Sequence, residues 1–402
     1  MSTDGVVVAL VGDVVLKRPD PGSAFDRARP ILDAADVRFG NCEAIYSASP
    51  ERHPLDPCIT KVDPSNFAGI VSAGFDVMSL ANNHAMGGGF SGFADTMKLF
   101  DQAQIDVVGA GADLNAAMRP AIVERNGMKV AFLAFTCVYY PGFEATASRA
   151  GCATLRVHTF YKQEVGQPGT PPVAVTTILD PADKEMLAAA VTDARSQADA
   201  VIVSMHWGLH NTEVVIADYE TELGRAAIDA GADVVFGHHQ HILKGLQMYR
   251  GRPIVHGANQ FVFDMDATMF EHTRSIGWVP GRLASGRPVV QYDEDYPTYP
   301  FSPEARMTMI ALARVVRGQP VRLDIVPCLI NRLGQPVPLE HGTSELDEWV
   351  GYMSSITERA GLNGRLVEVQ GSSGTVADVA VLGLRDGSEA STPSIATHLS
   401  MS

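Results

Sequence analysis

Five short apolar runs, each closing on residue types that bind metals, constrain the fold of this 402-residue chain more than any other feature. Val6 to Val11 closes on Gly12-Asp13, Val37 to Gly40 on Asn41-Cys42-Glu43, and Val77 to Leu80 on Ala81-Asn82-Asn83-His84. Val201 to Met205 closes on His206-Trp207-Gly208, and Ala232 to Phe236 on Gly237-His238-His239-Gln240-His241. Runs of this length and composition read as buried strands. Between them the spacing predicts helices, clearest over Phe90 to Ala103, Pro181 to Arg195 and Tyr219 to Ala230, with Pro181 at a helix start and Gly231 just past a helix end. The alternation gives an α/β fold in which loops at the carboxyl ends of the strands converge on a ligand. A single Asp after a strand is usually a cap or turn former. Five endings supplying Asp, Glu, Asn, His and His-x-His instead predict a metal centre, since neutral imidazole suits Zn, Mn, Fe or Ni.

These endings, followed by Phe261-Val262-Phe263, carry a family resemblance. Gly12-Asp13-Val14-Val15, Asn41-Cys42-Glu43, Ser79 to Ala85, His206-Trp207-Gly208 and Gly237 to His241 resemble, in order and spacing, the motifs of the CapA family of poly-γ-glutamate capsule synthesis, within the calcineurin-like metallophosphatase superfamily. The resemblance spans about Gly5 to Asp264. It implies a four-layer α-β-β-α sandwich with one or two divalent ions at the strand ends. The implied ligands are Asp13, Glu43, Asn83, His206, His239 and His241, with His84 as the acid/base residue. His238 could replace His239, because neighbours on an extended segment point opposite ways.

Two departures bear on chemistry. Metallophosphatases commonly carry Asp-x-His where this chain has Asp13-Val14-Val15, which implies a more oxygen-rich site and adds Mn, Ca or Fe to Zn as candidates. CapA-like proteins tend to have an Asp three residues after the motif His, where this chain has Gly87 in Gly87-Gly88-Gly89. Losing that carboxylate argues against ordinary hydrolysis, and glycines leave room for a bulky substrate group.

Composition sets further bounds. A net charge of −15 disfavours nucleic acid and anionic membranes. The N-terminus lacks a basic segment followed by an apolar core, and no apolar stretch reaches membrane-spanning length, so a cytoplasmic protein is expected. Five widely spaced cysteines, Cys42, Cys58, Cys137, Cys152 and Cys328, suit a reducing compartment. A single catalytic domain over residues 1–385 is expected, with Val321 to Ile330 a strand, Ser344 to Ala360 an amphipathic helix and residues 386–402 a loose tail. Residues 264–304, rich in Pro, Gly, acids and aromatics, read as a lid. Trp278, Tyr292, Tyr296, Tyr299 and Phe301 lie in that segment. Trp207, Trp278 and Tyr292 are the expected substrate contacts.

Two enzyme classes follow. In the leading reading the ion acidifies a Cα proton and a histidine base, His84 or in reserve His206 or His238, removes and returns it, with Asn83 alongside; the substrate is a peptide, as in a CapA-like subgroup that epimerises the C-terminal tryptophan of a lasso precursor peptide. The alternative is a hydrolase of a phosphoester or amide, with a metal-activated water and His84 protonating the leaving group. A metal-stabilised binding module for an acidic polymer is the third reading, and an acid/base histidine argues against it.

Overall fold

Each apolar run becomes a strand whose alternate residues enter different cores. A computed structural model describes residues 5–48, 50, 51, 53–55, 60–162, 174–265, 293–369, 380 and 382–387. Among these, two large sheets carry the chain. The ten-stranded sheet has a parallel centre of Gln260–Phe263, Gly5–Val15, Val37–Cys42, Val77–Ser79 and Asp106–Val108. Antiparallel strands Met307–Val316, Arg322–Ile330, Leu382–Asp386 and Gly364–Glu368 extend one flank, and Pro336–Pro338 pairs with Arg322–Ile330. In the six-stranded sheet Met128–Thr136, Ala200–His206, Val234–His238 and Arg252–Val255 run parallel. Ala121–Arg125 and Leu246–Tyr249 close its two edges.

The two-residue period of a strand sorts the side chains. Val8 and Leu10 join Phe39, Phe132, Ile202, Val234 and Phe236 in a core drawing on both sheets, where the Phe39 and Phe132 rings stack with centroids 5.5 Å apart. Ala9 and Val11 face the other way, into a core with Phe25, Phe67, Ile70, Phe93 and Phe100. Val201, Val203 and Met205 pack similarly with Leu187, Val191, Leu223 and Ala227 of two helices.

Those helices, Pro181–Gln197 and Asp218–Asp229, and the helix Gly89–Ala103 cover the expected spans within a few residues. Asp180 caps the first of them, its carboxylate accepting from the backbone N–H of Ala182 and Asp183. Gly231 takes φ of 118° after the helix end, a backbone region that only glycine enters freely. Arg322–Ile330 and helix Ser344–Arg359 lie where a strand and an amphipathic helix are expected. Among the described residues no helix is long and apolar enough to cross a membrane.

The parallel strands end in register at one edge. Asp13 lies opposite Asn41 and Gln260, Asn41 opposite Ser79, and His206 opposite both Thr136 and His238. A register shift between Leu10 and Asp13 marks a bulge that re-aims the aspartate. It depends on Gly12, because a Cβ there would sit 1.8 Å from the carbonyl oxygen of Asn259.

The expected lid is only partly in view. Trp278 and Tyr292 lie outside the described residues, as do residues 388–402 of the expected tail. The returning limb departs from expectation. Tyr299 and Phe301 are buried in the core rather than presented to a substrate, and the Tyr296 ring carries the Arg306 guanidinium 3.4 Å above its centroid.

Candidate metal centre

Both sheets deliver acceptor-rich side chains to the same edge. From the ten-stranded sheet come Asp13 and Glu43, both fully buried, and Asn83-His84 from the turn after Val77–Ser79. From the six-stranded sheet come His206 and His238, neighbours in a parallel register and both fully buried. His239 and His241 follow in the turn, at φ of 104° and 55°. Left-handed φ at a non-glycine is costly and persists where the surroundings enforce it. Its consequence is geometric: by leaving the extended conformation at His239 the chain breaks the in/out alternation, so both histidines of the adjacent pair face the centre.

The contacts are short. Asp13 Oδ1 lies 3.1 Å from His238 Nδ1 and accepts from the Asn41 amide at 2.8 Å, while Asp13 Oδ2 accepts from the His239 backbone N–H at 3.1 Å. His206 Nδ1 is 2.9 Å from His238 Nδ1, and its Nε2 is 3.0 Å from His239 Nδ1, 3.5 Å from Glu43 Oε1 and 2.6 Å from Asn83 Oδ1. His84 Nε2 stands 4.0 Å from Glu43 Oε1 and 3.3 Å from the Asn83 amide. Three overlapping donor sets result: Asp13, His206 and His238; Glu43, His206 and His239; and Asp13, Glu43 and His241, each within 4.8 Å.

A divalent cation fits this set. Lone pairs outnumber protons: both buried oxygens of Glu43 lack a hydrogen-bond donor, and their acidic neighbour Asp13 is another acceptor. Burial, then the charge of Asp13, holds the Glu43 carboxyl well above the usual carboxylate range. Burial, with neighbouring imidazoles adding to it, holds His206, His239 and His241 well below the usual histidine range, so they present neutral rings. Two acids, one of them with no donor to either oxygen, and several neutral imidazoles form a site that a positive ion completes.

Several supporting residues escape sequence reasoning. Ser204 lies two residues before His206 and its hydroxyl is 2.7 Å from His238 Nε2, which leaves His238 Nδ1 toward Asp13. Asn82 anchors the motif turn, donating to Cys42 O and Asn41 Oδ1 and accepting from His84 N. His210 stacks on His239 with centroids 4.7 Å apart and lies 4.4 Å from His241; burial pushes its pKa down to about 4. A fourth-residue spacing from His206 was its only sequence signal.

Two expectations need correction. Trp207 is fully buried among Tyr219, Leu223 and Ile254, and its indole N–H donates to His256 O, so it packs the core instead of touching substrate. Gly88 and Gly89 do not open a pocket. A Cβ on Gly88 would meet Ile45 and Pro50, one on Gly89 would meet Glu51, and one on the nearby Gly92 would again meet Pro50 and Ile45. At these positions glycine serves close packing.

The chain is similar to known proteins of bacterial capsule synthesis. The bacterial capsule synthesis protein model PGA_cap matches residues 7–265. The "PGA biosynthesis protein CapA" of Bacillus subtilis is 30% identical over 71% of this chain and 70% of its own length. The "Capsule biosynthesis protein CapA" of Bacillus anthracis is 27% identical over 65% of this chain and 61% of its own. A "Probable polyglutamine synthesis accessory protein" of Mycobacterium tuberculosis is 32% identical over 58% of this chain and 57% of its own.

Proposed function

Because the chain belongs to the bacterial capsule synthesis protein (PGA_cap) family, we propose that it is a metal-dependent hydrolase of the metallophosphatase type. The observation that carries the reading is the buried Asp13–Glu43 pair set among neutral imidazoles, with no donor to either Glu43 oxygen. The three cores, one between the sheets and one on the helix-covered side of each, support a four-layer α-β-β-α arrangement.

Asp13, Glu43, Asn83, His206, His239 and His241 would hold the cation or cations, with His238 offering Nδ1 beside Asp13. A divalent ion held by these residues would supply Lewis acidity toward a water and the scissile bond. His84, partly exposed and 4.0 Å from Glu43, would protonate the leaving group. Asn83 reaches both His206 and His84, and so fixes the acid relative to the ligands. The Mycobacterium tuberculosis relative is named for polyglutamine, a chain joined by amide bonds, so an amide in a peptide-like substrate is the bond class we favour. The free cysteines Cys42, Cys137, Cys152 and Cys328 fit a cytoplasmic location.

Epimerisation of a C-terminal tryptophan has less support, since no relative described above is named for it and the room expected beside Gly88 and Gly89 is filled. Turnover of candidate amides and phosphoesters in ¹⁸O-water and in D₂O separates the two. One ¹⁸O atom in a cleavage product, with no deuterium at any Cα, is the expected result. Deuterium at a Cα of an intact peptide would overturn the hydrolase.

A further inference from the structure

We propose that Gln260 is the positioning residue that makes His241 a metal ligand, and that it ties the buried limb carrying Tyr299 to the metal centre. The inference rests on the reading of His241 as a ligand. Gln260 opens the strand Gln260–Phe263, pairs with Asp13 and is fully buried. One end of its amide lies 2.5 Å from His241 Nδ1 and the other 2.8 Å from the Tyr299 hydroxyl.

The amide can face its two partners in two ways. In one, the Tyr299 hydroxyl donates to the Gln260 carbonyl oxygen and the amide NH₂ faces His241 Nδ1, while Ala305 O accepts from the Asn259 amide at 2.8 Å. In the other, the Tyr299 hydroxyl donates to Ala305 O, 3.0 Å away, and its lone pair faces the Gln260 NH₂, so the carbonyl oxygen lies on the His241 side. A His241 that ligates a cation through Nε2 selects the second. A half-turn about the last side-chain bond exchanges the two ends without moving either contact. The oxygen then accepts from His241 Nδ1–H, and the neutral ring keeps its lone pair on Nε2, free for a cation shared with Asp13 and Glu43. The opposite orientation would put the ring proton on Nε2 and close that nitrogen to a cation.

The apolar collar strengthens the assignment. Phe263 meets the His241 ring edge-on at 5.2 Å, Phe301 lies 6.3 Å away, and neither can hydrogen-bond. Phe301 in turn packs 4.6 Å from Tyr299, so the limb that returns from residues 264–304 holds the amide that orients the histidine. Groups behind a ligating histidine commonly set its tautomer in this way.

The test uses the full chain, stripped by chelator and titrated with Zn²⁺ against a chromogenic competitor. Gln260→Leu is expected to weaken zinc binding about 10- to 100-fold. Gln260→Glu, which keeps an acceptor for Nδ1–H, is expected to stay close to wild type, and Tyr299→Phe to fall between the two. In zinc-loaded wild type with ¹⁵N-labelled histidine, His241 should show a protonated Nδ1 and a ligated Nε2, a readout that general destabilisation does not mimic. His241 ligating through Nδ1, or undiminished affinity in Gln260→Leu alongside lost affinity in His241→Ala, overturns the inference alone. Unaffected affinity and tautomer in Tyr299→Phe overturn the tie to the limb. Wild-type affinity in His241→Ala would overturn the ligand reading beneath it.

Discussion

Replacing Glu43 by Gln is expected to have opposite effects on the metal-free and metal-loaded protein. In the metal-free state Glu43 is a fully buried carboxyl with no donor to either oxygen and Asp13 as its acidic neighbour. An uncompensated charged group at such a place costs about 1–3 kcal/mol, and an amide of the same shape removes most of that cost. Glu43→Gln should therefore stabilise the metal-free chain by about 1–3 kcal/mol. The sign follows from linkage. A carboxyl whose folded pKa is raised favours folding only in its protonated form, so the contribution of Glu43 itself falls as pH rises above the ordinary value of 4.5, against the opposite trend of the three buried imidazoles. The gain in Glu43→Gln should thus grow with pH above about 4.5 and vanish below it. In the loaded state the variant lacks one anionic ligand. With metal at about 100 times the wild-type Kd, wild type gains about 2.7 kcal/mol, whereas a variant bound 100-fold more weakly gains only about 0.4 kcal/mol. Thermal melts with chelator and with Mn²⁺ or Zn²⁺, across pH, read both effects. A less stable metal-free variant that keeps the full metal-induced shift would refute the reasoning.

His84→Ala should retain metal by elemental analysis while kcat falls about 10²- to 10⁴-fold, the usual cost of removing a positioned acid. Ser204→Ala frees His238 Nε2 and should weaken metal binding about 10- to 100-fold by competition titration, with the fold unchanged by circular dichroism. Metal-free protein should lose stability as pH falls below the ordinary histidine value of 6.5, because the depressed pKa values of His206, His239 and His241 leave those rings neutral in the folded state while the unfolded chain takes up protons; melts from pH 7 to about pH 5 test the direction. Gly12→Ala should unfold readily in denaturant titration, about 3 kcal/mol or more below wild type, since its Cβ has no space beside Asn259 O.

Strand ends were the legible part of this chain. Continuous apolar runs buried on both faces leave a strong signal, and the residues that close them, Asp13, Glu43, Asn83, His206, His238, His239 and His241, meet at one edge because parallel strands end in register. The choice between His238 and His239 was not legible, because it depends on the φ of 104° at His239, which no residue type announces. Ser204 and Gln260 were missed for another reason: their roles come from contacts 34 and 19 residues away in sequence, across strands that only the fold brings together. Trp207 misled because an aromatic beside a catalytic motif reads as a substrate contact, whereas its side chain belongs to the helix-covered core of the six-stranded sheet. The glycines after His84 misled similarly, since glycine marks close approach of backbone as often as open space.

The central claim is that Asp13, Glu43 and the histidines form a metal centre. Elemental analysis of chelator-stripped and reloaded wild type, Asp13→Ala and His241→Ala tests it most directly. Wild type is expected to recover at least one tightly held divalent ion per chain, and each variant, with a donor group opened, to lose it. Full metal content in both variants, or none in reloaded wild type, would contradict the assignment.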